Sequence, residues 1–173
     1  MKSIGPLVFV TLFCVVAFGQ HSPQDTGTAA AVVEAQKPYQ IMAGEKKLPV
    51  LALYCVKKGK NMAHVLTFSP KGNVSEDNLE VKAKDDRLSL PVQLGSDAFK
   101  PATWIPYGDA ITFAYYGRTE PERLTFIESL LNPNVPTLTV SFTPFLTGTT
   151  VTSVFDLGQF RSQVEKHPEC GFH

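Results

Sequence analysis

The sequence predicts an α+β fold: a mainly antiparallel β-sheet or sandwich with two helices, the second C-terminal and tied by a disulfide. Three observations lead there. Apolar and polar residues alternate in several short runs, clearest in "TLTVSF" at 137–142, and such alternation sets one strand face against a core. Two later segments carry a capping residue followed three positions on by Glu or Gln, the spacing that opens a helix. Once a leader is set aside, Cys55 and Cys170 are the cysteines that remain.

The leader reads "MKSIGPLVFVTLFCVVAFGQ". Lys2 is a minimal positive start, Ile4 to Phe18 are largely apolar, and Ala17 and Gly19 are the small residues a signal peptidase needs. Residues 1–19 are therefore expected to be a signal peptide. The apolar stretch falls short of the ~20 residues that span a bilayer, and a retained anchor is the alternative. Phe13 is too bulky to precede a lipidated Cys14. In an exported chain the remaining cysteines are most economically one disulfide, closing a loop of 115 residues. The alternative is a reactive thiol beside His167 or His64, which an oxidising compartment opposes.

Residues 20–37 ("QHSPQDTGTAAAVVEAQK") are small and polar without a sustained period, and predict a flexible N-terminal linker. Residues 38–173 then form a single β-rich domain. "LPVLALYCV" and "MAHVLTF" flank the turn "KKGKN" as a hairpin, with Cys55 on the inward face of Leu51 and Leu53. A strand follows at 79–83, then "LSLPVQL" at 88–94. Pro91 cannot donate to a ladder, which predicts an edge strand there. "WIPYGD" reads as an aromatic loop entering the strand "AITFAYY" at 110–116.

Thr119, Pro121 and Glu122 open the first helix, Leu124, Ile127 and Leu131 stripe it, and Asn132-Pro133 stop it. After "TLTVSF", the loop "TPFLTG" and the strand "TTVTSVF", Asp156 and Gln159 open the second. Phe160 and Val164 are its apolar pair, and Pro168 bars its continuation. A helix this short is marginal alone and depends on packing.

The order of these motifs resembles the VasI-like exported bacterial proteins, accessory proteins of type VI secretion systems. The shared features are "LALYC" at 51–55, "WIPYGD" at 104–109, "FIESLL" at 126–131, "LTVSFTPF" at 138–145 and "VFDLGQF" at 154–160 before Cys170. The last helix opens "FDLGQF" where that family has "FDLSGF", and residues 71–100 match nothing in it. The resemblance implies an exported, disulfide-tied β-rich domain without established enzymatic activity.

Function classes narrow accordingly. Sixteen basic and sixteen acidic residues balance, with no basic stripe of the kind a nucleic-acid binder needs. The sequence contains no HExxH, CxxC or His-x-His spacing and no GxSxG elbow, so neither metal nor cofactor is expected. Trp104, Tyr107 and Phe145 either plug the ends of the sandwich as core or, exposed together, form a partner-binding patch. The expectation is a non-catalytic accessory or binding domain, periplasmic or secreted, that meets a protein partner in the cell envelope through an aromatic loop or an exposed strand edge. The alternative is a small periplasmic hydrolase using His64 or His167 with a carboxylate.

Overall fold

A computed structural model of the chain describes residues 26–42, 44–58, 61–72, 79–82, 85–107, 112–116 and 121–172. The expected signal peptide lies outside them. The strands are β1 (Thr26–Glu34), β2 (Tyr39–Met42), β3 (Glu45–Lys47), β4 (Val50–Lys58), β5 (Asn61–Ser69), β6 (Leu79–Lys82), β7 (Asp85–Leu94), β8 (Lys100–Tyr107), β9 (Thr112–Tyr116), β10 (Thr137–Phe142) and β11 (Val151–Asp156). Helix α1 (Pro121–Leu130) precedes β10, and α2 (Leu157–Val164) follows β11 directly. The α+β architecture, its antiparallel pairing and the C-terminal position of α2 are as the sequence predicts.

One sheet runs β1-β4-β5-β9-β8-β7-β10-β11, with β6 added to β7 and β2–β3 forming a separate hairpin. The sheet curls on itself. Its two end strands meet where the Gln36 amide, just past β1, donates to the Val154 carbonyl of β11 at 2.8 Å. Helix α2 packs on β1 beside this junction. Asp156 ends β11 and caps α2 at once, its Oδ1 accepting from the amides of Gly158 (2.7 Å) and Gln159 (3.1 Å). With no loop between strand and helix, α2 turns straight onto β1 and buries Leu157, Phe160 and Val164.

The enclosed core is aliphatic with an aromatic centre. Leu51, Leu53, Leu66, Leu88, Leu90, Leu138, Val140, Ile127 and Leu130 are fully buried. Phe68 sits amid Trp104, Phe142 and Phe155, at ring-centre distances of 6.0, 5.4 and 6.2 Å. Burying each such side chain contributes roughly 1.5–3 kcal/mol before conformational entropy is charged against it.

Three expectations are corrected. The segment expected as a flexible linker contains β1, so the packed domain begins by Thr26 rather than at Pro38. Its residues are buried on both faces: Ala30 packs beside the disulfide, while Ala31 and Val33 join the main core with Leu157, Phe160 and Val164 of α2. The "WIP" stretch belongs to β8 rather than to a loop. And β7 is not an edge strand. Pro91 lies opposite Pro101 of β8, a pairing that suits a position where facing residues exchange no N–H···O bonds. On the other flank β6 reaches only Leu88 and β10 begins at Val92, so the missing donor falls in the gap between them.

Candidate functional site

The tail is fastened first by covalent chemistry. Cys55 joins Cys170 in a disulfide with Cα atoms 5.5 Å apart. Such a bond fits an oxidising compartment. Cys55 is buried on the inward face of β4, as its alternation with Leu51 and Leu53 predicts. Its cross-strand neighbour is His64 of β5. The His64 Nε2 lies 2.8 Å from the Cys170 carbonyl, which can only accept, so Nε2 carries the proton. The His64 ring also packs on Phe172 at 4.1 Å with the planes 37° apart. Pro168–Cys170 form a single 3-10 turn, and Gly171, at φ +73°, supplies the left-handed residue that reverses the chain after it.

The second candidate histidine has a different setting. His167 Nδ1 lies 2.8 Å from the Glu169 carboxylate, and this hydrogen bond holds Glu169 below the usual carboxylate range. Glu169 is exposed, and His167 lines neither of the two clefts described below. His64 meets a carbonyl and a ring. The structure therefore joins His167 to an acid on open surface, and joins His64 to the tail.

The three aromatic candidates separate. Trp104 is fully buried in the core, so it is corrected from partner anchor to core residue. Tyr107 lies opposite Thr112 in the β8–β9 ladder, and its side chain is outside the described set. Phe145 is 59% exposed, and Leu146 beside it 60%. Their turn is internally braced. The amides of Thr147 and Gly148 donate to the Pro144 carbonyl at 3.3 and 3.0 Å, and the Thr143 and Thr150 hydroxyls sit 3.0 Å apart across its base. Pro144 itself is buried, so two large apolar side chains project from a fixed support. The signal for Leu146 was present in "PFLTG", where apolar residues lie between two turn formers.

A cleft of about 500 Å³ opens between α1, α2 and the tail, lined by Glu128, Leu131, Asn132, Arg161, Val164, Glu165, Gly171 and Phe172. A smaller one of about 280 Å³ lies between α1 and the β7–β8 turn. Arg161 sits at the wall of the larger. Its Nη1 donates to the carbonyls of Leu130 (3.3 Å), Asn132 (3.0 Å) and Val135 (2.9 Å). Helix α1 has no basic residue in its own last turn, so Arg161 supplies the cation its C-terminal carbonyls favour. Nothing in the sequence around Arg161 marks this contact, because its acceptors lie 26 to 31 residues away.

Among the described residues no group of three or more His, Cys, Asp or Glu is placed to hold a metal ion, and no helix is long and apolar enough to cross a membrane. Comparison with family models, curated proteins and solved structures finds no match to this chain.

Proposed function

We propose that the protein is an exported, non-catalytic binding domain that docks a protein partner of the cell envelope through the Phe145–Leu146 turn and the adjoining edge of β11. The observation that carries this reading is the braced exposure of two adjacent large apolar side chains. Charge supports it: no charged residue occurs from Ser129 to Phe155, although charges are the common guard against unwanted pairing at a sheet edge. The kinship with VasI-like accessory proteins belongs to the same proposal and rests on the order of the shared motifs.

A photoreactive phenylalanine analogue at position 145, in the chain exported from a bacterial host, tests it. One discrete crosslinked adduct is expected, lost when Leu146→Asp is added and absent when the analogue sits at exposed Lys46. Failure to crosslink at 145, or equal labelling at 46, overturns the reading.

A further inference from the structure

We propose that the partner docking at the Phe145–Leu146 turn contributes an extended, uncharged segment that adds to the free edge of β11 as a further antiparallel strand. This rests on the docking reading and names the form its partner takes. The argument begins with the backbone groups that β11 leaves open. The Gly95 amide, just past β7, donates to the Thr137 carbonyl at 2.9 Å, so the backbone groups of Thr137 face β7. Alternation then directs those of Leu138, Val140 and Phe142 towards β11, where they pair with Phe155, Ser153 and Val151. The backbone groups of Thr152 and Val154 therefore point away from β10. The Gln36 amide takes up the Val154 carbonyl at 2.8 Å. The Val154 amide and both backbone groups of Thr152 have no hydrogen-bond partner among the described residues.

The two ends of the sheet differ in this respect. On β1 the Gln163 side chain bonds both the amide and the carbonyl of Val32. On β11 no described side chain does the same, and no charged residue from Ser129 to Phe155 guards the edge. A row of outward amides and carbonyls is complemented by another extended backbone, which gives affinity through main-chain hydrogen bonds. From Thr150 to the Gln36 contact the opening is about five residues, roughly 17 Å, the length of a short strand.

Charge decides the side chains of the added segment. Thr152 and Val154 lie on the outer face of the sheet, opposite to buried Ser153 and Phe155, and neither carries charge. A charged residue set against them would give up water without gaining a counterion. Thr and Val pack well across such a pair of strands. Past the start of β11, exposed Phe145 and Leu146 continue the surface for an apolar side chain at the end of the segment.

The test is titration of the full mature protein with a short end-blocked peptide of alternating Thr and Val, followed by amide NMR and hydrogen exchange. Saturable shifts and slowed exchange are expected at the Thr152 and Val154 amides. The same peptide N-methylated on two adjacent central residues lacks a donor on each of its edges, and should bind on the order of tenfold more weakly. Thr152→Pro should abolish binding and still fold, because the amide it removes faces away from β10 and proline is tolerated at such edge positions. Thr152→Lys, an edge charge that leaves the backbone intact, should also weaken binding, with the disulfide and the denaturant midpoint confirming the fold of both variants. Thr152→Pro should likewise remove the photocrosslinked adduct at position 145. No saturable response, equal binding of the two peptides, or shifts centred away from β11 would overturn strand addition. An adduct at 145 that survives Thr152→Pro overturns strand addition alone, whereas no adduct in the parent overturns the docking reading with it.

Discussion

The side-chain amide of Gln163 makes both halves of a backbone pairing with Val32. The Val32 amide donates to Gln163 Oε1 at 2.9 Å, and Gln163 Nε2 donates to the Val32 carbonyl at 3.0 Å. β1 is the terminal strand of the sheet and has β4 on one side only. On the other side the carboxamide of a helical residue stands where a further strand would hydrogen-bond. Exposed edges invite pairing with other chains, and proteins blunt them by several devices. Here the device is one side chain, delivered because α2 turns back across the seam.

Replacing Gln163 by Ala removes two hydrogen bonds at a partly solvated site, where water takes over some of the lost bonding. The expected cost is about 1–2 kcal/mol, read as a lower denaturant midpoint with unchanged slope. The second expectation is concentration-dependent self-association in size exclusion. Gln163→Glu keeps an acceptor for the Val32 amide but sets a carboxylate against the Val32 carbonyl, and should do no better than Ala. A monomeric Ala variant with the parent midpoint would show that the edge needs no cover.

Arg161 allows a sharper comparison. Arg161→Ala leaves three carbonyls at the end of α1 without their shared donor, and should cost about 1–3 kcal/mol. Arg161→Lys retains the charge but not the planar fork, so it should recover only part of that. Hydrogen exchange locates the effect: amides of Leu131, Asn132 and Val135 should lose protection first. Equal stability of the Lys variant and the parent would reduce the contact to charge alone.

Legibility along the chain followed how local each cause was. β10 could be read from "TLTVSF" because Leu138, Val140 and Phe142 alternate and all three are buried. The cap at Asp156 was equally local, since its acceptor and donors lie within three residues. β1 was hidden because Ala30 and Ala31 carry little hydrophobic signal, and their places, Ala30 beside a disulfide closed across 115 residues and Ala31 in the main core, are tertiary facts. β7 was misplaced because the tolerance of Pro91 depends on Pro101 opposite and on where β6 and β10 end. At the candidate site, Phe145 could be picked out from its loop. The burial of Trp104 is a tertiary fact, and Arg161 acts on acceptors distant in sequence.

Trp104 and Phe145 should behave as opposites. Trp104→Ala opens a large void beside Phe68 and is expected to cost about 3–5 kcal/mol. Phe145→Ala removes a mostly exposed ring and should stay within about 0.5 kcal/mol of the parent. Thermal melts of the two variants settle it. A Phe145→Ala variant as damaged as Trp104→Ala would mean that the turn packs against something in the folded monomer, and the docking proposal would lose its main support.

Tyr39 connects pH to the β2–β3 hairpin. Its hydroxyl donates to the Pro70 carbonyl at 2.9 Å, and its ring meets Phe142 edge-on at 5.3 Å. Gly72 leaves the room this needs, since a Cβ there would lie 2.9 Å from the hydroxyl oxygen. Burial raises the phenol from 10.0 to about 12. Because the folded value lies above the unfolded one, its contribution is complete below pH 10 and is lost as pH rises towards about 12. Denaturant midpoints measured across that window should fall more steeply for the parent than for Tyr39→Phe. Parallel profiles would place the hydroxyl in water.

The disulfide bears on the tail, the core and the compartment together. Its removal should act in two separable ways. In the unfolded chain it frees a 115-residue loop, and native disulfide removal typically costs about 2–5 kcal/mol. In the folded chain it leaves Cys170 and Phe172 held by non-covalent contacts, among them the hydrogen bond and ring contact to His64 and packing on the core. Cys55→Ser/Cys170→Ser should therefore melt lower, and should also lose the packing of Phe172 on His64 while still folded at low temperature. The ring-current shift of the His64 protons reports that packing directly. Cys55→Ser/Cys170→Ser with His64→Ala added, read at the Gly171 and Phe172 amides, should show no further loss of tail order if the histidine acts only after the disulfide has placed the tail. A further loss would mean that His64 and Phe172 position the tail by themselves, leaving the covalent bond to act on the unfolded state alone.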